Sequence, residues 1–285
     1  MLFDHTQRFQ RDDLTESEKV KMDLVVDIGN SETVFGLVQD ESLEVVDHWR
    51  IKTSRDRTAD EYQNLLGSMV NNRGVPLDDL RRTVVGSVVP GHTPVVVKGL
   101  EGLLKQACVV VNSESSLPIS LEVEEPLTVG IDRIVNTLAA KVIYDKDVLV
   151  VDFGTATSFD CITADGVFIG GVIAQGLEAG VDWLAHRTAK LPSVELSAPK
   201  RVIGKRTEEC IQSGIFFSSV DAVDGIVHRI QREWGISDLT VIVTGGYGEL
   251  VRPHLKTTNY FEPFLTLYGL ALAGRFLVDG SVAIG

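Results

Sequence analysis

Strand-length runs of apolar residues alternate along this chain with stretches in which apolar residues recur at helical spacing. The runs predict strands over residues 23–28, 33–38 and 43–51. A helix follows in RTADEYQNLLGSMVNNRG, where Thr58 provides an N-terminal cap and Gly74 a stop. Its apolar face consists of Tyr62, Leu65, Leu66 and Met69. Strands followed by helices in this order indicate the α/β class.

The pattern continues through the middle of the chain and then starts again. TVVGSVVP is predicted to be a buried strand, LEGLLKQA a helix and ACVVVN a strand. VGIDRIVNTLAAKVIY is predicted to be a helix with Ile134, Leu138 and Val142 on one stripe, and a DKD turn leads from it into the strand VLVVDFG. Strands near Phe159 and Phe168, further helices and the strand TVIVTGG complete the second half.

Two stretches share one pattern, namely VVDIGNSETVFGLV from Val25 and VVDFGTATSFDCIT from Val150. Each opens a half in which strands and helices alternate, which predicts an internal duplication with two domains, 22–147 and 148–285, and a cleft between them. Residues 1–21 are polar and charged, so we expect a poorly packed extension, and Met22 could be the natural start. Short strings of this kind also recur by coincidence, so the repeat alone leaves both explanations open.

The two repeated turns have the chemistry of a phosphate site. A glycine directly after a buried strand allows close backbone approach, and the following N–H groups can converge on an anion. Asp27 and Asp152 precede these glycines and can hold a metal ion, directly or through water. Two facing turns could therefore grip the β- and γ-phosphates of a nucleotide from opposite sides. Neither GxGxxG after a strand nor GxxxxGK[ST] occurs in the chain.

Two further segments each allow a structural and a functional interpretation, and a third is expected to begin a helix. In TVIVTGG, the bare backbone of Gly245 and Gly246 could carry adenine and ribose, or form only a tight turn. In VGIDRIVN, Asp132 could accept a proton and Arg133 bind a substrate anion, or the two could be a helix cap and its surface partner. In GKRT, Thr207 is expected to cap a helix whose first turn contains two glutamates.

The amino-acid composition narrows the classes of molecule that the protein is expected to bind. The formal net charge of −13 argues against nucleic acid, because neutralising phosphates dominates that affinity. Three widely spaced cysteines without a CxxC pair suit a reducing cytosol and argue against a thiolate zinc site. No apolar run reaches the roughly 18–20 residues of a spanning helix, and residues 1–21 lack the apolar core of a secretory signal. We therefore expect a cytoplasmic protein without a membrane partner.

Ten segments occur in a characteristic order between Met22 and about Arg275: DIGNS, HWRIKTSRDRTADEY, SVVP, VGIDRIVNTLAA, VVDFGTATSFD, GGVIAQGL, RTAKLP, IGKRTEECIQSGI, VDGIV and TGG. In this order they resemble the type III pantothenate kinases of the actin/sugar-kinase superfamily. The resemblance implies two duplicated actin-like (RNase H-like) domains with a cleft between them. It also implies ATP-dependent phosphorylation of pantothenate to 4′-phosphopantothenate, the first step of coenzyme A biosynthesis.

The same resemblance implies cofactors, a partner and residue roles. It implies Mg²⁺, a monovalent cation (K⁺ or NH₄⁺), and a homodimer in which the second subunit helps to build the pantothenate pocket. Asp27 would lie nearest Mg²⁺, Asp152 would bind the monovalent cation, and Asp132 would be the catalytic base. The implied ATP-binding residues are Asp27, Ile28, Gly29, Asn30, Ser31, Glu32, Thr33, Val34, Thr155, Gly245 and Gly246. The implied substrate-binding residues are Gly130, Ile131, Asp132, Arg133 and, from the neighbouring protomer, Thr207.

The chain departs from the family pattern mainly on the substrate side. Val123 stands where the family usually has a tyrosine that contacts pantothenate, and Ile131 replaces a smaller alanine. Loss of a hydroxyl contact costs about 0.5–1.5 kcal/mol, which would weaken binding without abolishing activity. Two alternatives therefore stand beside the kinase: a non-catalytic or regulatory nucleotide-binding protein on the same scaffold, and a kinase of another small hydroxylated substrate.

Overall fold

The computed structural model describes residues 21–72 and 76–283, which form two β-sheets with helices on both faces of each. The first sheet has five strands, and the first half of the chain supplies three helices. The strands are β1 (Met22–Ile28), β2 (Glu32–Gln39), β3 (Val45–Lys52), β4 (Leu80–Ser87) and β5 (Val109–Val111). The helices are α1 (Ala59–Asn71), α2 (Thr93–Leu104) and α3 (Ile131–Tyr144).

The second sheet is built largely from the second half. Its strands are β6 (Ser120–Leu121), β7 (Val148–Phe153), β8 (Ala156–Ile162), β9 (Val167–Gln175), β10 (Thr240–Thr244) and β11 (Tyr260–Phe261). The helices of the second half are α4 (Leu177–Arg187), α5 (Thr207–Trp234), α6 (Gly248–Val251) and α7 (Leu265–Asp279). The predicted mixed α/β architecture is thereby confirmed.

Strand order and direction repeat between the two sheets. The first sheet has the order β3-β2-β1-β4-β5, with β1, β2 and β3 antiparallel and β4 and β5 parallel to β1. The second contains β9-β8-β7-β10-β11 with the same directions, and β6 is added beside β9. Because hairpins and crossovers recur in the same sequence, the duplication inferred from the two similar stretches extends to the whole topology.

Apolar side chains are buried in three layers. One cluster lies between the sheets, where α3 and α7 pack together and cover their inner faces. A second cluster lies under α1 and α2 on the outer face of the first sheet, and a third lies under α4 and α5 on the outer face of the second. Burial of these faces at roughly 25 cal/mol per Å² is the main contribution that holds the layers together.

Two elements cross the boundary expected between residues 147 and 148. Strand β6 comes from the first half and pairs with β9, and α7 comes from the second half and packs on β1 and β4. An ion-pair network reinforces the second crossing: buried Arg82 donates from Nε to Asp23 at 3.0 and 3.1 Å and also contacts Asp40 and Asp279. The domain limits thus remain a prediction from the sequence.

Local sequence predicts one element end correctly and two others wrongly. Thr58 caps α1 in a capping box with Glu61, as the pattern predicted. The prediction that Leu43 begins the third strand was wrong, because Leu43 has a φ of 59° in the preceding turn and the strand begins at Val45. Thr207 was also misassigned: it is the first residue of α5, and Arg206 precedes it as the cap. The extension over residues 1–21, apart from Lys21, and the stop at Gly74 lie outside the described residues.

Helix α5 is the longest helix over the described ranges, with 28 residues. By length and composition it is the one described helix that could cross a membrane. However, its apolar residues Phe216, Val220, Val223 and Val227 are buried in the outer core of the second sheet. One face of the helix therefore packs against the second sheet.

Candidate active site

The first repeated turn connects β1 to β2 and is closed by its own backbone. The Gly29 N–H donates to the Glu32 carbonyl at 2.9 Å, while Thr53, which follows β3, donates through Oγ1 to the Gly29 carbonyl at 2.8 Å. Asn30 and Ser31 at its tip are exposed, whereas the side chains of the flanking Ile28 and Thr33 are buried. The turn is therefore rigid at its base and can present backbone and polar side chains to a ligand at its tip.

The second turn, between β7 and β8, repeats this construction. The Gly154 N–H donates to the Ala156 carbonyl at 3.0 Å, and Thr155 at the tip is exposed. Ser31 Oγ and Thr155 Oγ1 lie 3.0 Å apart, so the tips of the two turns form a hydrogen bond with each other. The two halves thus bring their equivalent loops together across one cleft.

Asp27 and Asp152 occupy equivalent positions, each one residue before the end of its strand. Burial, together with the neighbouring carboxylates of Asp132 and Asp152, raises the pKa of Asp27 to about 7, against the lowering effect of Arg50. Burial likewise raises the pKa of Asp152 to about 7, with Asp132 and Asp160 adding to the effect. Several carboxylates with too little balancing positive charge make a site in which a bound cation would be stabilised.

Gly245 packs against Asp152 and Phe153, the residues that lead into the second turn. It has a φ of 89°, a left-handed backbone that a side chain disfavours, and a Cβ there would collide with Asp152 Oδ1. The next residues continue the contact, since the Tyr247 N–H donates to the Phe153 carbonyl at 3.1 Å. The sequence TGG therefore lies directly against the carboxylate of the second turn, at the mouth of the same cleft.

The N-terminus of α3 places Asp132 beside the two turns. Gly130 is the cap residue without a side-chain hydrogen bond, and a Cβ on it would collide with Asp132 Oδ1. The carboxylate accepts the Arg133 N–H at 2.8 Å. Burial raises the pKa of Asp132, although the Arg133 N–H and the positive charge of Arg133 oppose that rise. The side chain of Ile131 is buried over Gly86, so only its backbone can meet a ligand.

Arg133 is fixed by two partners. Its Nε donates to Asp160 Oδ1 at 2.6 Å, and its guanidinium lies 4.9 Å above the Phe168 ring. Asp160 is fully buried on β8, and its other oxygen, Oδ2, has no hydrogen-bond partner among the described residues. Burial raises the pKa of Asp160 to about 6, and the ion pair with Arg133 limits the rise. Asp160 was not among the predicted site residues, although a carboxylate in an apolar strand was the available signal.

Asn136 is a further polar residue of the site that the sequence did not indicate. It is buried on α3, one turn after Asp132, and its Oδ1 accepts from Thr266 at 3.0 Å. Its Nδ2 makes no standard hydrogen bond within the described part of the chain. The amide lies near Asp152 and lowers the pKa of that carboxyl. This unpaired donor is one more polar group that a ligand or water can satisfy.

Two further residues concern the expected substrate side, and one of them, Val123, lies 3.9 Å from the position that a Cβ on Gly170 would occupy, next to Gly171, which faces Arg133. Val123 is half-buried and packs against the core between the sheets. Thr207 is exposed at the beginning of α5, behind the loop that carries the exposed Val202 and Ile203. No contact within the described chain brings Thr207 to the carboxylates, so a role in the site requires a second copy of the protein.

The donor set decides which metal the site can hold. Within residues 21–72 and 76–283 no three His, Cys, Asp or Glu side chains are grouped to hold a metal ion. Asp27 and Asp152 nevertheless supply carboxylate oxygens whose raised pKa values indicate uncompensated charge. Magnesium in nucleotide sites is commonly held by one or two carboxylates together with phosphate oxygens and water. The residues present fit a cation that arrives with a phosphorylated ligand.

Sequence comparison identifies close relatives over nearly the whole chain. A family model described as type III pantothenate kinase matches residues 23–229. A type III pantothenate kinase of Desulfosudis oleivorans is 42% identical over 252 residues, covering 88% of this chain and 98% of its own. One of Moorella thermoacetica is 38% identical over 249 residues, covering 87% of this chain and 97% of its own.

Solved structures support the fold. A Baf family transcriptional activator described as putative, from Campylobacter jejuni, matches with a TM-score of 0.54 at 16% identity, covering 90% of this chain and 98% of its own. A 2-dehydro-3-deoxygalactonokinase, also described as putative, from Sinorhizobium meliloti matches with a TM-score of 0.51 at 14% identity, covering 89% and 96%. At such identities the likeness concerns the fold alone, which agrees with the expected actin-like architecture.

Proposed function

This chain belongs to the type III pantothenate kinase family, and from that premise we propose how its cleft transfers the γ-phosphoryl group of ATP to pantothenate. The observation that carries the proposal is the meeting of the two Asp-Gly turns through Ser31 and Thr155, with Asp132 beside them. Phosphoryl transfer needs mainly positioning and charge neutralisation, which paired turns supply. The product is 4′-phosphopantothenate, the first intermediate of coenzyme A biosynthesis.

Asp132 is the proposed general base. Its carboxylate is held by the Arg133 N–H at the beginning of α3, and its raised pKa makes it a better proton acceptor than a free aspartate. It takes the proton of the pantothenate hydroxyl as the oxygen attacks the γ-phosphorus, and the bond between that phosphorus and ADP breaks. Arg133, oriented by Asp160 and Phe168, binds the anionic end of the substrate.

The nucleotide occupies the cleft between the two turns. Backbone N–H groups around Asn30 and Thr155 bind the phosphates, while adenine and ribose lie against Gly245 and Gly246. Asp27 would hold Mg²⁺, through water or directly, and the ion would neutralise charge on the transferred phosphoryl group. The protein's own contribution is to keep both turns at fixed separation, so that donors need no rearrangement during transfer.

Asp152 is the proposed ligand of the monovalent cation. Its carboxylate lies below the second turn, where burial and neighbouring carboxylates disfavour its charge in the absence of a cation. Potassium or ammonium would relieve that penalty and let Asp152 stay ionised at neutral pH. Asp152→Ala should therefore weaken the dependence of the rate on potassium, measured at fixed Mg²⁺ and ATP. A potassium dependence equal to that of the wild type would remove this role.

A homodimer would complete the substrate pocket. Val202 and Ile203, exposed by 66% and 80%, precede Thr207, which suits a surface covered by a second copy. If Thr207 acts across the interface, mixed dimers of Asp132→Asn and Thr207→Ala subunits contain one intact site and recover activity. Subunits must be exchanged by mild denaturation and refolding, with the dimer checked by light scattering. Failure of the refolded mixture to exceed either parent would place Thr207 outside the pocket.

The direct test of function is ATP-dependent phosphorylation of labelled pantothenate in the presence of Mg²⁺ and potassium. Asp132→Asn should lower kcat by about 10²–10⁴-fold while ATP binding persists. The non-catalytic alternative predicts ATP binding without turnover, and the other-substrate alternative predicts turnover of a different hydroxyl compound. Family membership and the retained Asp132 favour the pantothenate kinase. We place this activity in the cytoplasm, where a kinase of this family meets both ATP and pantothenate.

A further inference from the structure

A row of side chains crosses the first sheet next to the nucleotide turn. Asp27 of β1 pairs with Val34 of β2, and Val34 pairs with Arg50 of β3. Directly paired residues in antiparallel strands lie on the same face of a sheet. Arg50 therefore faces the cleft on the same side as Asp27, although it is distant from Asp27 in the sequence.

The duplication provides an internal comparison for this row. In the second sheet Asp152 pairs with Ser158, and Ser158 pairs with Ile173. Ile173 occupies the position that corresponds to Arg50 and is 66% exposed. The two halves have the same backbone arrangement at this position, but the first has the positively charged Arg50 and the second has the uncharged Ile173. A positive charge at this position is thus a property of the first half alone, and the fold itself does not require it.

The guanidinium of Arg50 reaches across the cleft to the other half. Its Nη1 lies 3.5 Å from Glu32 Oε2 and 3.2 Å from the position that a Cβ on Gly246 would occupy. Its charge also lowers the pKa of Asp27. The strand that carries it is anchored, because Thr53 at its end bonds to the Gly29 carbonyl of the phosphate turn. Arg50 therefore lies between the first turn and the TGG turn.

The ion pair of Arg50 is one that a ligand can replace. The side chains of Arg50 and Glu32 are 38% and 54% exposed, and solvent-exposed pairs of this kind contribute little to stability. Arg133, by comparison, is 16% exposed and paired at 2.6 Å with a fully buried carboxylate. An arginine with an exposed, weakly held partner can turn to a stronger anion at low cost. Phosphate oxygens are such anions, and the guanidinium can bind them with two parallel hydrogen bonds.

We propose that Arg50 binds the terminal phosphates of ATP, exchanging its contact with Glu32 for phosphate oxygens when the nucleotide enters. The inference rests on the proposed function, since it assumes that the cleft holds ATP. It adds a positive group from the edge strand of the first sheet to the backbone donors of the two turns. Before the nucleotide binds, the ion pair with Glu32 keeps the Arg50 guanidinium over the cleft.

Binding of ATP, ADP and adenosine to the full chain, measured by calorimetry with Mg²⁺ and without pantothenate, tests the proposal. Arg50→Ala should raise the Kd of ATP and ADP by at least about tenfold, since hydrogen bonds to charged groups are among the stronger ones. Adenosine, which has no phosphate, should bind within about twofold of the wild type. Arg50→Lys should recover part of the loss, because it retains the charge without the bidentate geometry.

Arg229→Ala is the matched control, because it removes one positive charge from an exposed position on α5. Arg229 is also 22 residues away from Thr207, the residue of α5 that is proposed to contact substrate. It should leave all three affinities unchanged, and thermal unfolding should show that each variant is folded. Equal weakening of adenosine and ATP by Arg50→Ala would show contact with the base and overturn the proposal. Unchanged ATP affinity in both Arg50 variants would also overturn it. A wild-type chain that binds no ATP would instead refute the proposed function.

Discussion

The most informative perturbation is Asp152→Asn, which keeps the shape of the side chain and removes its charge. Burial and neighbouring carboxylates raise the pKa of Asp152 from 3.8 to about 7 in the folded protein. Between these two values the folded chain binds more protons than the unfolded chain, so the stability of the cation-free protein falls as pH rises from about 4 to 7. We therefore expect the substitution to stabilise the cation-free protein while it damages the enzyme.

The size of this gain follows from the difference between the two pKa values. A difference of about 3 corresponds to about 4 kcal/mol at pH 8, where the folded carboxylate is ionised. Water at the partly exposed side chain reduces this penalty, so we expect a gain of roughly 2–4 kcal/mol. At pH 5 the folded carboxyl is mostly protonated, and less than about 2 kcal/mol should remain.

Urea unfolding at fixed protein concentration measures this gain. The samples contain a chelator and tetramethylammonium salts, so that neither magnesium nor potassium is bound. Asp165→Asn, at an exposed turn between β8 and β9, controls for the loss of one negative charge. Addition of potassium should then stabilise the wild type and leave Asp152→Asn unchanged. If Asp152→Asn is no more stable than the wild type at pH 8, or gains as much at pH 5, the electrostatic account of this carboxylate is incorrect.

Three further predictions concern other parts of the molecule. Asp160→Asn removes the charged partner of Arg133. It should raise the KM for pantothenate roughly tenfold or more and change the KM for ATP less. Equal changes in the two KM values would contradict this prediction. Gly245→Ala places a side chain on a residue with a φ of 89° beside Asp152. It should lower the free energy of unfolding by at least about 1–2 kcal/mol, measured by urea unfolding, and weaken ATP binding, measured by calorimetry. Thr58→Ala breaks the capping box of α1 and should cost about 0.5–2 kcal/mol with unchanged kinetic constants; altered kinetics would mean that α1 contributes to the site.

The parts of the fold and site that could be predicted are those set by local pattern. Asp27 and Asp152 were recognisable because each lies near the end of an apolar strand, two positions before a glycine, and a strand end of this type fixes where the side chain goes. The capping box at Thr58 was likewise local. In each case a few adjacent residues decide the conformation, so a single sequence contains the required information.

The remaining features depend on residues far apart in the chain. The side chain of Ile131 is buried because α3 packs over Gly86, a strand residue 45 positions earlier, and the motif around Ile131 does not specify that packing. Arg50 became visible only through the register of three strands, which brings it into line with Asp27. Asp160 required the position of Arg133 on another element. Pairing register and helix packing are set by the whole core, so short motifs do not specify them.

The return of α7 to the first sheet has a consequence for the order in which the molecule can mature. The inner face of β1 and β4 is covered by α7, which begins at Leu265, about 180 residues after β4 ends. At about 5–20 residues per second, translation of that intervening segment takes roughly 10–35 s. During that interval the nascent first half exposes the apolar surface that Leu267 and Leu270 later cover. The amino-terminal half can therefore complete its core packing only after α7 has been synthesised.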